Sequence, residues 1–334
     1  MPLFDSLDPE MDAPPPVSEI EQPPVVSATP PRRVARSRGK NQLLQPFLKW
    51  AGGKRQLLPE IRKQIPAKFN RYYEPFIGGG AVLFDLQPKN GFINDFNEEL
   101  ANCYKVIKEK PDELLEHIKT HRNTEEYFYQ LRGLDRQPEY ENLTDVQRAS
   151  RIIFLNKTCF NGLFRVNSRG QFNVPFGNYQ NPSIADSVVV HAVSKYLNDN
   201  TIKITTGDFA DAVKTAKKDD FVYFDPPYDP VSDTASFTGY SLDKFDRKEQ
   251  ERLKEVVDDL TRRKVKVLLS NSATDFIKKL YEHDYYVIDV IYANRNINSV
   301  GTSRGKVSEV LIRNKYDVRE NDNKQLSLCP SKTP

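Results

Sequence analysis

Phe221-Val-Tyr-Phe-Asp-Pro-Pro-Tyr228 is the stretch on which the fold of this chain turns. Phe221 to Phe224 are aromatic and β-branched, a run that suits a buried strand. Asp225-Pro-Pro-Tyr228 ends that strand abruptly. Neither Pro226 nor Pro227 can donate a backbone hydrogen bond, and Pro226 biases Asp225 away from helix. A carboxylate and an aromatic ring are thereby set on a stiff turn at the carboxyl end of a strand, the edge where open α/β sheets bind ligands. Taken alone, these four residues are equally a proline-terminated strand with a surface Asp and Tyr. The surrounding chain decides between the two.

Downstream, residues 230–240 are rich in Ser, Thr and Asp and are expected to be a mobile loop beside the turn. Asp246 and Glu249 are placed to cap a helix running to Arg263, with Leu253, Val256, Val257 and Leu260 on its buried stripe. Alternating residues predict strands over 264–270 and 285–292 with a helix over 275–281 between them, and a last strand over 307–313. Upstream, Ile202-Lys-Ile-Thr-Thr-Gly-Asp-Phe209 gives a strand and a turn. Earlier still, Arg71-Tyr-Tyr-Glu-Pro-Phe-Ile-Gly-Gly-Gly80 reads as a short strand, a glycine turn and the start of a helix at Ala81. Glycine there permits positive φ and close approach of a ligand to the backbone. A second strand, Gly91-Phe-Ile, ends in Asn94-Asp95 about 20 residues on, where such folds hold a ribose hydroxyl pair. Glycine loop and spaced Asp together point to an adenosine-containing cofactor. The missing G-x-G-x-x-G fingerprint argues against NAD.

Two further stretches flank this pattern. Pro46-Phe-Leu-Lys-Trp-Ala-Gly-Gly-Lys54 imitates a phosphate loop but lacks the upstream Gly and the Ser/Thr after Lys54, so Lys49, Trp50 and Lys54 are kept as ligand contacts of another kind. From Leu100 to about Leu155 the pattern is helical, with Leu114, Leu115 and Ile118 on one buried face and Tyr127, Phe128 and Leu131 on another. Asn156 to Tyr179 then interleaves Asn and Gly with aromatics and with Lys157, Arg165 and Arg169. Ser168-Arg-Gly170 forms the tight end of a hairpin. Such a hairpin can enter a DNA groove and read base edges, or it can be a packed loop with solvated Arg and Asn.

Composition limits the remaining possibilities. The chain has 334 residues, 28% of them charged, with mean hydropathy −0.64. It contains no run of 18 apolar residues and no basic-then-apolar leader, so a soluble, cytoplasmic protein without membrane contact is expected. A net charge of +3 does not by itself announce a nucleic-acid partner. The three cysteines, Cys103, Cys159 and Cys329, are scattered and form neither a disulfide framework nor a metal knuckle. His117 and His121 have i,i+4 spacing but no adjacent acid, and no metal is expected there. Residues 1–43 are proline-rich, nearly free of aromatics and expected to be disordered. Their basic run from Arg32 to Lys40 is either a solvated tail or a non-specific DNA contact.

Together these motifs resemble the N6-adenine DNA methyltransferases of the D12 class, the GATC-methylating (Dam) group. The resemblance spans about Pro46 to Lys315 and follows the family's order: Lys-Trp-Ala-Gly-Gly-Lys, Glu-Pro-Phe-x-Gly-x-Gly, Asn-Asp, the hairpin, Asp-Pro-Pro-Tyr, and Ser-Asn near 270. It implies a Rossmann-like α/β methyltransferase fold, a mixed seven-strand sheet flanked by helices. The catalytic domain would be residues 44–100 plus 200–315, with a helical target-recognition domain and β-hairpin inserted at 101–199 and a loose tail at 316–334. It implies S-adenosylmethionine against Trp50, Lys54, the loop of Glu74, Pro75, Phe76, Gly78 and Gly80, Asp95, Asp208, Phe209 and Asp225. Asp225 and the carbonyl of Pro226 would accept hydrogen bonds from the target amine. Tyr228, fixed after Pro227, would stack on an adenine flipped from double-stranded DNA.

In the hairpin, the resemblance implies that Arg165 reads a guanine and that Leu163 and Pro175 pack on the neighbouring base pair. Lys49 and Tyr179 would contact the outer guanine, and Phe160 and Asn161 would fill the gap left by the flipped base. The chain departs from the commonest pattern at Phe160, where tyrosine is frequent, so a hydroxyl contact is lost while stacking survives. The enzyme is expected to work as a monomer. Three alternatives remain: a protein-glutamine or RNA methyltransferase, disfavoured by Asp in place of Asn at 225; a non-catalytic DNA-binding relative; and the same chemistry on another adenine-containing site beside a restriction enzyme.

Overall fold

The computed structural model describes residues 40–50, 52–231, 245–294 and 306–318. Most of the N-terminal extension with its basic run, most of the loop after the Asp-Pro-Pro-Tyr turn, and the tail from 319 lie outside the described residues.

In chain order the elements are α1 (Leu58–Gln64), β1 (Tyr72–Glu74), α2 (Ala81–Leu86), β2 (Asn90–Asp95), α3 (Glu98–Glu109), α4 (Pro111–Lys119), α5 (Glu125–Gly133) and α6 (Asp145–Thr158). There follow α7 (Ser187–Asp199), β3 (Thr201–Thr206), α8 (Phe209–Ala212), β4 (Phe221–Phe224), α9 (Arg247–Arg262), β5 (Lys266–Ser272), α10 (Asp275–Leu280), β6 (Tyr286–Asn294) and β7 (Lys306–Asn314). The expected α/β class is present, as one mixed seven-stranded sheet in the order β3-β2-β1-β4-β5-β7-β6. The first five strands are parallel; β7 runs antiparallel to both β5 and β6.

This order decides where a ligand can sit. From β1 the chain winds outward through β2 to β3, then crosses back to β4 on the other side of β1. The carboxyl ends of β1 and β4 therefore lie side by side at the point where the winding reverses, which opens a crevice. All four β4 residues are buried because helices cover both faces. Phe221 and Tyr223 join the core with Tyr72, Ile93, Leu268 and Leu311, whereas Val222 and Phe224 join Tyr73, Val267, Leu269 and Val310 on the other face. The alternation follows the pleat.

Helices α3 to α7 and the hairpin are all contributed by the chain between β2 and β3. Their buried residues, Leu114, Phe128, Ile153, Val174 and Val193 among them, belong to the same apolar cluster as the first sheet face. Helix α6 opens with a full capping box, Thr144 and Gln147 bonding reciprocally. At α9 the expected pair is half realised. Asp246 caps Lys248 and Glu249, but the Glu249 side chain turns to Arg252 instead. Strand β5 begins two residues later than expected because Lys264 has φ 60°, the left-handed turn that ends the preceding helix.

The hairpin is closed by Asn167. Its side-chain oxygen accepts from the backbone of Arg169 and Gln171, and Gly170 supplies φ 82°. The backbones of the two arms pair in isolated bridges, Val166 with Phe172 and Cys159 with Phe176. Among the described residues no helix is long and apolar enough to cross a membrane.

Candidate active site

Asp225 emerges from β4 with its side chain 19% exposed. Lys54 Nζ lies 2.7 Å from Asp225 Oδ1, and Ser270 Oγ donates to the same oxygen at 3.0 Å. Both contacts fall on Oδ1. Burial pushes the Asp225 carboxyl above the ordinary range, opposed by the Lys54 charge and by these two hydrogen bonds. Tyr228 lies beside it: the Lys54 ammonium is 4.7 Å from the ring centroid, and the Tyr228 hydroxyl donates to Glu309 Oε2 at 2.9 Å. Lys54 thus joins the glycine-rich stretch before it to the Asp-Pro-Pro-Tyr turn.

The two prolines do different work. Pro226 is buried and Pro227 exposed. Gln250 Nε2 donates to the Pro227 carbonyl at 2.8 Å, and Asn271 Nδ2 donates to Gln250 Oε1 at 3.0 Å. Asn271 Oδ1 in turn accepts from the Asp229 backbone at 3.1 Å. Gln250 and Asn271 are at most 1% exposed, so this relay makes the turn rigid from behind.

The glycine loop faces the same crevice. At Gly80 (φ 74°) a Cβ would come within 2.5 Å of the Tyr104 hydroxyl; at Gly78 (φ 47°) it would press on Trp50. Gly78 N donates to Asp95 Oδ2 at 3.0 Å and Asn97 N to Oδ1 at 3.0 Å. Burial pushes the Asp95 carboxyl up to about 6, against the pull of these two donors. Phe96, the next residue, is 60% exposed. Asn94 binds the strand ends together, donating to the carbonyls of Pro75 (3.1 Å) and Gly207 (2.9 Å). Phe76 stacks on Phe209 at 5.4 Å. Asp208 caps α8 through Ala210 and is held in a fork by Arg252, with Nη2 at 2.6 Å.

Glu74 is 2% exposed. Burial pushes its carboxyl well above the usual range; the Tyr72 hydroxyl, donating at 2.8 Å, opposes this, and the nearby Asp225 charge adds to it. The unfolded chain loses this proton near pH ~4.3 while the folded chain keeps it. Stability therefore falls as pH rises above ~4.3, by about 1.4 kcal/mol per unit, until the folded group ionises. Glu74→Gln removes that cost. It is expected to melt above the wild type at pH 8, with the difference vanishing toward pH 4; an equal shift at both pH values would refute the assignment.

The hairpin residues form a second group. Asn161 (φ 58°) and Gly162 (φ 64°) are both left-handed, and Gly162 packs directly on the Lys49 side chain. Asn156 ties the Lys49 backbone to this turn through three hydrogen bonds. Lys49 Nζ lies 5.8 Å from the Tyr179 ring centroid. Phe160 is 52% exposed, and its N–H donates to the Pro175 carbonyl at 2.9 Å. Leu163 is partly buried against the core. Arg165 is exposed and aimed by Asn173, donating from Nε to Oδ1 at 2.7 Å and from Nη2 to the backbone at 3.2 Å. Trp50 links the two groups: it lies on the glycine loop and stacks on Phe164 at 4.6 Å.

Among the described residues no group of three metal-ligating side chains occurs. His117 and His121 converge on the buried Ser150 hydroxyl at 2.9 and 2.8 Å, and burial lowers His121 to about 4.

Gln250 and Glu309 are the residues around this turn that the sequence expectations did not name, and Ser270 and Asn271 entered them only as the Ser-Asn motif near 270, without a role. Gln250 carried a readable signal, a polar residue one turn before Leu253 on an otherwise apolar stripe.

The D12 class N6 adenine-specific DNA methyltransferase model matches residues 50–297. A type II methyltransferase of Lactococcus lactis subsp. cremoris, M1.LlaDCHI, is 46% identical over 278 residues, covering 82% of this chain and 97% of its own. M.MjaIII of Methanocaldococcus jannaschii, also named a type II methyltransferase, is 42% identical over 291 residues (81% and 99%). The DNA adenine methylase of Escherichia coli K12 is 34% identical over 270 residues (79% and 93%). The match takes in the glycine loop, the hairpin and the Asp-Pro-Pro-Tyr turn whose geometry is set out above, and the chain belongs to the D12 class of N6 adenine-specific DNA methyltransferases.

Proposed function

We infer that the protein transfers a methyl group from S-adenosylmethionine to N6 of an adenine flipped out of duplex DNA, within the sequence GATC. The observation that carries this is the placing of Asp225 and Tyr228 beside the glycine loop at the reversal point of the sheet. The crevice fits the cofactor. Gly78 and Gly80 admit close backbone approach, Asp95 offers a fixed carboxylate to a ribose, and Phe96 offers an exposed ring to its adenine. When bound, S-adenosylmethionine supplies the methyl group.

An aromatic amine is a poor nucleophile because its lone pair is delocalised into the ring. Asp225 and the Pro226 carbonyl, as two fixed acceptors, favour a pyramidal nitrogen with its lone pair directed at the methyl. The Asp225 charge stabilises the positive charge that develops there, and alignment of the reactants supplies much of the remaining acceleration. Tyr228 holds the base by stacking, and Phe160 and Asn161 occupy the space that it leaves. Lys49, Tyr179, Leu163 and Pro175 read the flanking pairs. The enzyme acts as a monomer on cytoplasmic DNA. A second possibility, modification of another adenine site beside a restriction enzyme, is favoured by the type II designation of the relatives at 46% and 42% identity.

Digestion of methylated duplex to nucleosides tests the chemistry: N6-methyldeoxyadenosine is expected, and a methylated cytosine would contradict it. Cofactor binding carries its own signature. Ribose hydroxyls donate to the ionised Asp95, so affinity for S-adenosylhomocysteine is expected to rise about tenfold per pH unit below 6 and to level above pH 7. Calorimetry across that range checks this, with Asp95→Asn expected to be weaker and flat with pH. A flat wild-type profile would remove Asp95 from the site.

A further inference from the structure

We propose that Glu309 is a positioning residue for methyl transfer: from β7 its carboxylate holds the Tyr228 hydroxyl and so fixes the plane of the ring that receives the substrate base. This rests on Tyr228 stacking against the base, as inferred above.

Pro226 and Pro227 stiffen the backbone leading to Tyr228, but they leave the side-chain torsions of Tyr228 free. What fixes the ring is contact. Lys54 Nζ lies over it at 4.7 Å, and the hydroxyl at its far edge donates to Glu309 Oε2 at 2.9 Å. Burial, then the Asp225 and Glu309 charges, hold the phenol well above its ordinary range, so it remains the donor. A hydrogen bond to a carboxylate is about twice as strong as a neutral one.

The support is rigid. Glu309 is paired on both sides, with Ser272 of β5 and Ile291 of β6. Ser270, which holds Asp225, lies two residues from Ser272 on the adjacent strand. The carboxylate that receives the amine and the ring that receives the base are thus each held by a neighbouring strand of one sheet.

The experiment compares Glu309→Ala, Glu309→Gln, Tyr228→Phe and the Tyr228→Phe/Glu309→Ala pair, measuring kcat, KM for duplex DNA and cofactor affinity. Glu309→Ala is expected to lower kcat about ten- to a hundredfold, with KM and cofactor affinity within about threefold of wild type. Glu309→Gln, whose amide oxygen still accepts from the phenol, is expected to recover most of the rate. Tyr228→Phe removes the same bond from the other side and should match Glu309→Ala; the pair should lose no more than either alone.

A wild-type rate for Tyr228→Phe, losses that multiply in the pair, or a Gln variant as slow as Ala would overturn the proposal. Should Glu309→Ala fail to fold, Tyr228→Phe and Glu309→Gln decide it alone. Tyr228→Ala separates the two levels. If that variant keeps the wild-type rate, stacking itself is wrong; if it is inactive while Tyr228→Phe is fully active, only the role of Glu309 fails.

Discussion

Asp225→Asn is expected to lower the single-turnover rate of methyl transfer about a thousandfold, while affinities for duplex and cofactor stay within a few fold. The size follows from what one preorganised charged group contributes to a developing charge, about 10²–10³ in rate, together with the loss of alignment. The choice of an amide follows from the geometry. Lys54 and Ser270 both hold Oδ1, so the amide oxygen of the substituted side chain inherits both partners and the fold is preserved. The amide NH2 then takes the place of Oδ2 and presents hydrogens to an amine that itself presents hydrogens. Alanine is a poorer test, because it removes the acceptor as well as the charge and leaves Lys54, 6% exposed, and Ser270 without their shared partner. A rate above a tenth of wild type would mean that Asp225 does not receive the amine.

Arg165→Ala is expected to leave turnover largely intact and to relax discrimination at a single base pair by about 5- to 150-fold, the range of one bidentate arginine–guanine contact. The guanidinium is already aimed. Asn173 holds Nε and Nη2 across the hairpin, so little side-chain freedom remains to be lost on binding, and the exposed edge can meet a guanine. Asn173→Ala should show a milder form of the same effect, since it frees the arginine without removing it. Rates on a set of duplexes differing at each position of the site measure both. Relaxation at two or more pairs, or none, would place the contact elsewhere.

Much of this site could be read before the fold was known, because its parts are local. Asp-Pro-Pro-Tyr constrains its own backbone, the glycine loop needs positive φ at its own positions, and the Asn167–Gly170 turn closes on itself. What could not be read depends on sheet order. Tyr228 meets Glu309 across 81 residues and Asp225 meets Ser270 across 45, because β5 comes to lie beside β4 and β7 beside β5. The resemblance placed Lys54 among the cofactor contacts; its pairing with Asp225 becomes visible only when the chain is folded. Asp208 likewise carries no sign in sequence of its fork with Arg252, contributed by a helix that begins 39 residues later. Hydrophobic period located the elements, and long-range pairing assigned the side chains.

The most direct measurement is methyl transfer from labelled S-adenosylmethionine to three duplexes: one containing GATC, one containing GTTC in its place, and one with GATC already methylated on both strands. Label in the first duplex alone is the predicted result, since it requires an unmodified adenine in the site that the hairpin reads. No label in GATC or in a wider panel of adenine-containing duplexes would contradict the assignment of Asp225 and Tyr228 as a working methyl-transfer site.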